Sequence, residues 1–558
     1  MIKMTRQFLL LISGFLLLTS CSIAQPLNQK LKFTRQDTLR GSNGIERAWW
    51  DVLHYDVNVT PDYTSKTITG KTTIQYKVLP NRKSMYMQID LQQPLVVDTV
   101  YYNGKLYIND PGHPYYNEGN VWHIPLPQVE VNSIHSVTIA YHGKPREAVK
   151  PPWDGGWIFT KDEQGRPWMT VACQGLGASV WYPCKDYQGD EPNNGATLTM
   201  NISNDLTAVG NGRLNSKSES PNFNSYRWEV KSPINNYTII PYIGHYANWS
   251  DTLQGEKGKL DLNYWVLDYD LPKAKKQFEQ VKPMLRAFEY WFGPYPFYED
   301  GFQLIETPHL GMEHQSAVAY GNHFQNGYLG TAYPSSSQWA MKFDYIIIHE
   351  SGHEWFGNNI TTKDIADMWV HESFTTYSET LFVEYYYGKN AATEYITAMR
   401  GNINNDKPIT GPYGVNQEGS GDMYAKGANV IHTIRQVIND DEKFRQILKG
   451  LNKDFYHQTV TSKQVENYIS QKAAKDLSKI FDQYLRTAQI PTLQLKAEGE
   501  KIKFRWTNCI AGFNMPVKLT NGQWIHPTTS EQKIKLEGDD FSNVDVDKNF
   551  YIDVKKQQ

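Results

Sequence analysis

The chain has 558 residues, 40% of them hydrophobic and 21% charged, with a net charge of −3. That length exceeds a single domain and suggests three or four, and the composition excludes a disordered chain. No basic block occurs, which argues against nucleic acid as a partner, since that would need a basic footprint.

The first predicted element is an address. Lys3 and Arg6 precede an apolar run from Phe8 to Leu18. The run is too short for an ordinary spanning helix and suits the core of a secretory signal. Leu18-Thr19-Ser20-Cys21 resembles a bacterial lipobox, in which the cysteine is lipidated and becomes the mature N-terminus. Residues 1–21 are therefore read as a signal peptide with a lipobox. The protein is expected in the bacterial cell envelope, on the periplasmic side or the outer membrane, anchored at Cys21. Cleavage after Ala24 is the alternative and would give a soluble periplasmic or secreted protein. No later apolar run has spanning length, so membrane contact is expected only through the N-terminal lipid.

Residues 22–45 are polar and read as a tether. From residue 46 the pattern alternates. In Leu53-His54-Tyr55-Asp56-Val57-Asn58-Val59 every second residue is apolar, and Thr72-Thr73-Ile74-Gln75-Tyr76-Lys77-Val78 repeats this. Period two marks half-buried strands, so residues 46–248 are expected to form a β domain. After Pro272 the period changes. Phe278, Val281, Leu285, Phe288 and Trp291 fall at helical spacing, which predicts an amphipathic helix over 273–292. Further helices are expected at 340–356, 365–387, 423–438 and 462–487, giving a mostly helical region over 249–490. Alternation returns in Leu493-Gln494-Leu495 and Ile502-Lys503-Phe504, so residues 491–558 read as a small β module. The fold class is multidomain α+β. Of the cysteines after Cys21, Cys173 and Cys184 can form one bridge or stay as buried free thiols, and Cys509 is left over.

The segment that carries chemistry is His349-Glu350-Ser351-Gly352-His353, an H-E-x-x-H pattern preceded by Ile346-Ile347-Ile348. On a helix, His349 and His353 lie one turn apart on one face and can reach a single Zn²⁺ at about 2.0–2.1 Å. Glu350 lies beside the first ligand, able to take a proton from water without binding the metal. Glu372 follows His353 with eighteen residues between, in a second helical segment. Two imidazoles and one carboxylate leave a fourth position open, the coordination of a catalytic zinc. His371 adjoins Glu372 but points elsewhere on a helix and reads as a packing residue or a support to the ligands. Glu379 is on the face of Glu372 and reads equally as a support to the ligands or an ordinary helix carboxylate.

H-E-x-x-H, eighteen residues and Glu resembles the gluzincin metallopeptidases. More narrowly, the chain resembles the M1 aminopeptidase family. Gly311-Met312-Glu313-His314 is similar to that family's G-x-M-E-N motif, and Tyr424-Ala425-Lys426-Gly427 to its Y-x-K-G segment. Gln174 precedes Tyr182-Pro183-Cys184-Lys185-Asp186 where the family carries Gln or Glu before a similar stretch. The resemblance implies an N-terminal β saddle, a thermolysin-like catalytic domain and a small C-terminal β-sandwich. It implies one zinc per chain, held by His349, His353 and Glu372, with Glu350 as general base and Tyr424 stabilising an oxyanion. It gives Glu313 the substrate's α-ammonium, with Gln174 as a nearby acceptor. Gly311, Met312 and His314 would complete the substrate-binding strand, although His314 stands where Asn is usual. The implied substrates are peptides with a free N-terminus. The family often carries a large C-terminal helical domain over the active site. With the chain ending at Gln558, that domain is expected to be missing and the cleft more open. The rival readings are a gluzincin endopeptidase and a catalytically silent zinc scaffold.

Overall fold

The computed structural model describes residues 32–80, 82–107, 112–538 and 541–557. The signal segment, the lipobox and Cys21 lie outside the described residues. Among the described residues no helix is long and apolar enough to cross a membrane.

The first alternating segments pair as expected. Strand Trp50–Asp62 runs antiparallel to Thr67–Val78, with Tyr55 opposite Ile74 and Val57 opposite Thr72. They sit within an eight-stranded sheet whose inward residues Tyr55, Val57, Val59, Ile74 and Tyr76 are fully buried. A bulge between Val52 and His54 interrupts the alternation, and Val52 and Leu53 are both buried. Part of the expected tether is folded. Helix α1 (Arg35–Gly41) starts at a Thr34/Asp37 capping box, in which each side chain meets the other residue's backbone N–H. It docks through an Arg35–Glu118 ion pair and a bond from Gln36 Nε2 to Glu118 O at 2.8 Å. Cys173 and Cys184 are buried free thiols, and Cys173 Sγ donates to Tyr237 O.

The second sheet has five strands in the order Tyr246–Gly255, Gly258–Leu267, Phe302–Glu306, Val318–Tyr320, Gly311–Met312. The boundary expected at residue 248 thus falls inside a strand that belongs to the second unit. Gly311–Met312 is the edge, antiparallel to Val318–Tyr320. The helix expected over 273–292 is divided into Leu271–Gln277, a 3₁₀ turn and α2 (Val281–Phe292). Pro283 explains the break. Its ring would clash with the carbonyl four residues earlier in a continuous helix, but is tolerated within a new first turn. Phe278, Val281, Leu285, Phe288 and Trp291 are all buried, as their spacing requires. Burial stabilises by about 1.5–3 kcal/mol for each large side chain.

Helices α3 (Tyr345–Gly352), α4 (Trp369–Tyr387) and α5 (Ala425–Ile438) pack around the site. Helices Lys389–Ala398 and Asp441–Asp454 stand outside the segments that periodicity singles out. The C-terminal strands Thr492–Glu498, Lys501–Thr507, Gln532–Lys535 and Asp553–Gln557 form one four-stranded sheet. This module shares its core with the helices: Phe504, Trp506 and Phe513 join the cluster that holds Phe481 and Tyr484. Met312, on the edge strand, belongs instead to the core of the N-terminal sheet. The edge strand is therefore held between the two units.

Candidate metal centre

Helix α3 is shorter than the expected 340–356 because Asp344 starts it. Its carboxylate accepts from Ile346 N at 3.1 Å and Ile347 N at 3.3 Å. Asp344 is fixed in turn by Tyr320 Oη, Asn322 Nδ2 and Gln277 Nε2. A buried N-cap this well held defines where the helix begins and so where His349 points. His353 is the C-cap residue and keeps helical dihedrals, φ −62° and ψ −20°. The two histidines therefore stay one turn apart, with their rings 5.1 Å between centroids.

Glu372 lies in the first turn of α4, where the helix dipole favours a carboxylate. Its Oε2 is 3.3 Å from His353 Nε2 and 3.7 Å from His349 Nε2. Ligands at zinc distances in a tetrahedron stand about 3.3–3.5 Å apart. Glu372 Oε2 is buried and makes no hydrogen bond, so it is an acceptor oriented toward a shared point. Each ring's other nitrogen is engaged. His349 Nδ1 donates to Glu379 Oε1 at 2.7 Å, and His353 Nδ1 to Phe356 O at 3.0 Å. That tautomer turns both Nε2 lone pairs toward Glu372. These residues fit a divalent cation.

The charges agree. Burial opposes ionisation of Glu372, yet His353 and His349 overcome it and hold the carboxylate well below the usual range. Burial likewise lowers His349, but Glu372 and Glu379 raise it well above the ordinary imidazole value. The buried carboxylates thus demand positive charge at this point. Burial pushes Glu350 up to about 7, with His349 and His353 pulling it down and Glu313 and Glu372 pushing it further up.

Glu379, read as a support to the ligands or an ordinary helix carboxylate, stands against the first histidine of the motif. It is fully buried, holds His349 and accepts from Tyr395 Oη at 2.6 Å. His371 turns away. Its Nε2 accepts from Thr362 N at 2.9 Å, and burial pushes it down to about 3, so it is a neutral packing residue.

Glu313 Oε1 accepts from Gln174 Nε2 at 2.6 Å and Tyr237 Oη at 3.0 Å. Gln174 Nε2 also reaches Glu372 Oε1 at 3.3 Å, so an N-terminal-domain side chain bridges the two carboxylates. Because its amide nitrogen faces two carboxylates, its oxygen remains as an acceptor. Glu313, Glu350 and His353 bring ligand atoms within 4.8 Å of one another. Gly311 permits this closeness, since a Cβ there would stand 2.8 Å from Ile346 Cγ2 and 3.0 Å from Glu350 Oε1. Gly427 does the same for α5, where a Cβ would come 1.9 Å from Ser373 Oγ. That approach seats Tyr424, just before α5, with its ring stacked on His349 at 6.0 Å and 24°.

His314 does not join the site. Its side chain is fully buried, its Nδ1 meets Tyr242 Oη at 2.5 Å, and it does not line the recess at the metal centre. The resemblance gave it a place in the substrate-binding strand; its side chain packs inward. The packed ring fills the space behind the strand, against Tyr242. The sequence reading also missed Tyr237 and Asn358, whose Nδ2 donates to Glu313 O at 2.8 Å. Neither carried a signal: one is among 36 tyrosines, and the other follows the motif without a recognisable spacing.

The recess holds about 50 Å³ and is lined by Gln174, Gly311, Met312, Glu313 and Tyr424 beside the metal residues. It shares Trp153 and Leu310 with a neighbouring cavity of about 470 Å³. The recess is thus narrow at the metal end.

Residues 276–484 match the profile of the peptidase family M1 domain, and residues 52–238 that of the peptidase M1 N-terminal domain. Probable aminopeptidase 2 of Sulfurisphaera tokodaii is 22% identical over 437 residues, covering 73% of this chain and 53% of that protein. Leukotriene A-4 hydrolase of Xenopus laevis is 22% identical over 479 residues, covering 80% and 73%. The chain spans about half the length of the probable aminopeptidases it matches. An M1 zinc metallopeptidase variant from Deinococcus radiodurans, solved with a Tyr-Ser-Ala substrate, superposes with a TM-score of 0.65 at 18% identity. The superposition covers 79% of this chain and 95% of that one.

Proposed function

The chain belongs to peptidase family M1, and from that premise we propose that it is a zinc-dependent aminopeptidase that removes N-terminal residues from peptides. One zinc per chain would be held by His349, His353 and Glu372. When bound it supplies Lewis acidity toward the scissile carbonyl and acidifies a water.

The chain's own groups do the rest. Glu350 takes the proton as water attacks the carbonyl carbon and then gives it to the leaving amine. The Tyr424 hydroxyl donates to the oxyanion that develops on the carbonyl oxygen. Burial holds Tyr424 well above the ordinary phenol pKa, so it stays protonated and can donate. Glu313 pairs with the substrate's α-ammonium, and Gln174 offers its oxygen to the same group. The recess adjoins, at Trp153 and Leu310, a larger cavity with room for further residues of a peptide.

The observation that carries this reading is the Glu313 carboxylate, buried and braced by Gln174 and Tyr237, close beside Glu350 and His353. An endopeptidase has no use for a fixed anion at that distance. The test is a pair of peptides identical except for N-acetylation. The free amine should be cleaved at least 100-fold faster by kcat/KM, and Glu350→Gln should abolish that turnover while zinc remains bound. Equal cleavage of both peptides would establish an endopeptidase.

The envelope address rests on Phe8 to Cys21 alone. It predicts that the expressed protein fractionates with membranes and that Cys21→Ser releases it. Fractionation unaffected by that substitution would leave the soluble alternative.

A further inference from the structure

We propose that a cavity of about 780 Å³ between the turn at Lys257 and helix Asp441–Asp454 binds a phosphate group. None of its lining residues lines the recess at the metal centre. Five lysines line it, Lys257, Lys443, Lys449, Lys453 and Lys472, against one carboxylate residue, Asp454. The chain as a whole is negative, at −3, so this concentration of positive charge runs against the bulk composition.

Internal pairing does not neutralise it. Lys449 Nζ meets Glu256 at 2.9 Å. Lys472 stands 3.7 Å from Asp454, whose Oδ2 already accepts from Tyr468 Oη at 2.8 Å. Lys443 Nζ donates only to a backbone carbonyl, Ala473 O. Lys257 and Lys453 have no carboxylate within 4.0 Å among the described residues. Lys453, in the last turn of its helix, complements the helix dipole. That account does not reach Lys257, which comes from a hairpin turn between strands far away in sequence. A cleft walled by one sign of charge raises the local concentration of the opposite ion.

The walls narrow the ligand class. Lys257 Nζ lies 4.6 Å from the Tyr456 ring centroid, and the same ring stacks on His457 at 3.8 Å. Lys257 and His457 thus both lie against the Tyr456 ring, which leaves less of it for a nucleobase. Phe292 and Ile447 are 1% and 3% exposed, so they offer almost no surface to an acyl chain. The charge on these walls comes mainly from ammonium groups on separate chain segments. Each is a point charge with three donors, without the planar fork that suits a carboxylate. A compact anion carrying two charges and several acceptor oxygens, a phosphate or phosphate monoester, satisfies them. Its source is either a free phosphate or the monoester headgroup of phosphatidic acid.

The test uses the purified protein at physiological salt, with inorganic phosphate in a calorimetric titration. A parallel arm measures cosedimentation with vesicles containing phosphatidic acid, with phosphatidylcholine vesicles as control. Saturable phosphate binding that weakens at least tenfold in the Lys257→Gln/Lys453→Gln variant, with melting temperature and peptidase rate retained, supports a free-phosphate site. Binding confined to the phosphatidic acid vesicles, and lost in the same variant, assigns the lipid headgroup instead. Absence of binding in both arms overturns the proposal. So does binding that the double substitution leaves unchanged, or that sulfate at equal ionic strength displaces as readily as phosphate.

Discussion

Glu379 offers the most informative perturbation, because it touches neither the metal nor a substrate. Its carboxylate receives His349 Nδ1–H at 2.7 Å and Tyr395 Oη–H at 2.6 Å, and it is fully buried. Glu379→Gln keeps the volume and an acceptor for His349 but removes the charge. Glu379→Ala also leaves two donors without acceptors. Loss of such a support to a ligand typically costs 10–100-fold in metal affinity, or about 1.4–2.7 kcal/mol. The Gln variant should fall near tenfold and the Ala variant near 100-fold. Each stranded donor in the Ala variant adds about 1–3 kcal/mol of destabilisation. Zinc affinity by competition with a chromogenic chelator, beside thermal unfolding of the metal-free protein, separates the two effects. The Gln variant should lose affinity while the metal-free protein melts within a few degrees of wild type. Affinities within twofold of wild type in both variants would refute the idea that Glu379 orients His349.

Three further outcomes follow from the geometry. Tyr424→Phe should lower kcat by about 10²–10³ with zinc content and KM little changed, since it removes one donor to the developing oxyanion. Glu313→Gln should cost about 2–4 kcal/mol in kcat/KM for free peptides and collapse the preference over N-acetylated ones, because it removes the buried partner of the ammonium. The last concerns pH. Burial pushes His432 down to about 4; its Nδ1 meets Tyr377 Oη at 3.0 Å and its Nε2 meets Asn549 Oδ1 at 2.9 Å. The unfolded imidazole, near pKa 6.5, binds a proton first as pH falls. Its contribution is therefore full above about pH 6.5 and is lost down to about pH 4, some 3 kcal/mol in all. Denaturant unfolding should show a steeper loss over that range in wild type than in His432→Gln.

Much of the site was legible in the chain because its chemistry is local. His349, Glu350 and His353 need only one helical turn, and Glu372 only a second helix in the right place. The apolar run Ile346 to Ile348 announces the burial that holds them. What the sequence left open depended on contacts distant along the chain. Glu379 looks like any helix carboxylate until His349 is found against it. Tyr237 reaches Glu313 across the domain boundary, a contact that no periodicity reports. His314 differs from its neighbours Met312 and Glu313, which face the recess, in that its own ring packs on Tyr242, an inward turn that the motif does not announce. In the fold, alternation found the strands of both β units, yet the helix expected at 273–292 ignored Pro283. The polar composition of residues 22–45 likewise concealed the Thr34/Asp37 capping box that starts α1.

The most direct measurement is an anomalous difference map at the zinc edge from crystals of the zinc-loaded protein. The account predicts one strong peak between His349 Nε2, His353 Nε2 and Glu372, with Glu350 outside bonding distance and a fourth position held by a light atom. A peak that excludes the Glu372 carboxylate, or zinc bound only away from these residues, would contradict it.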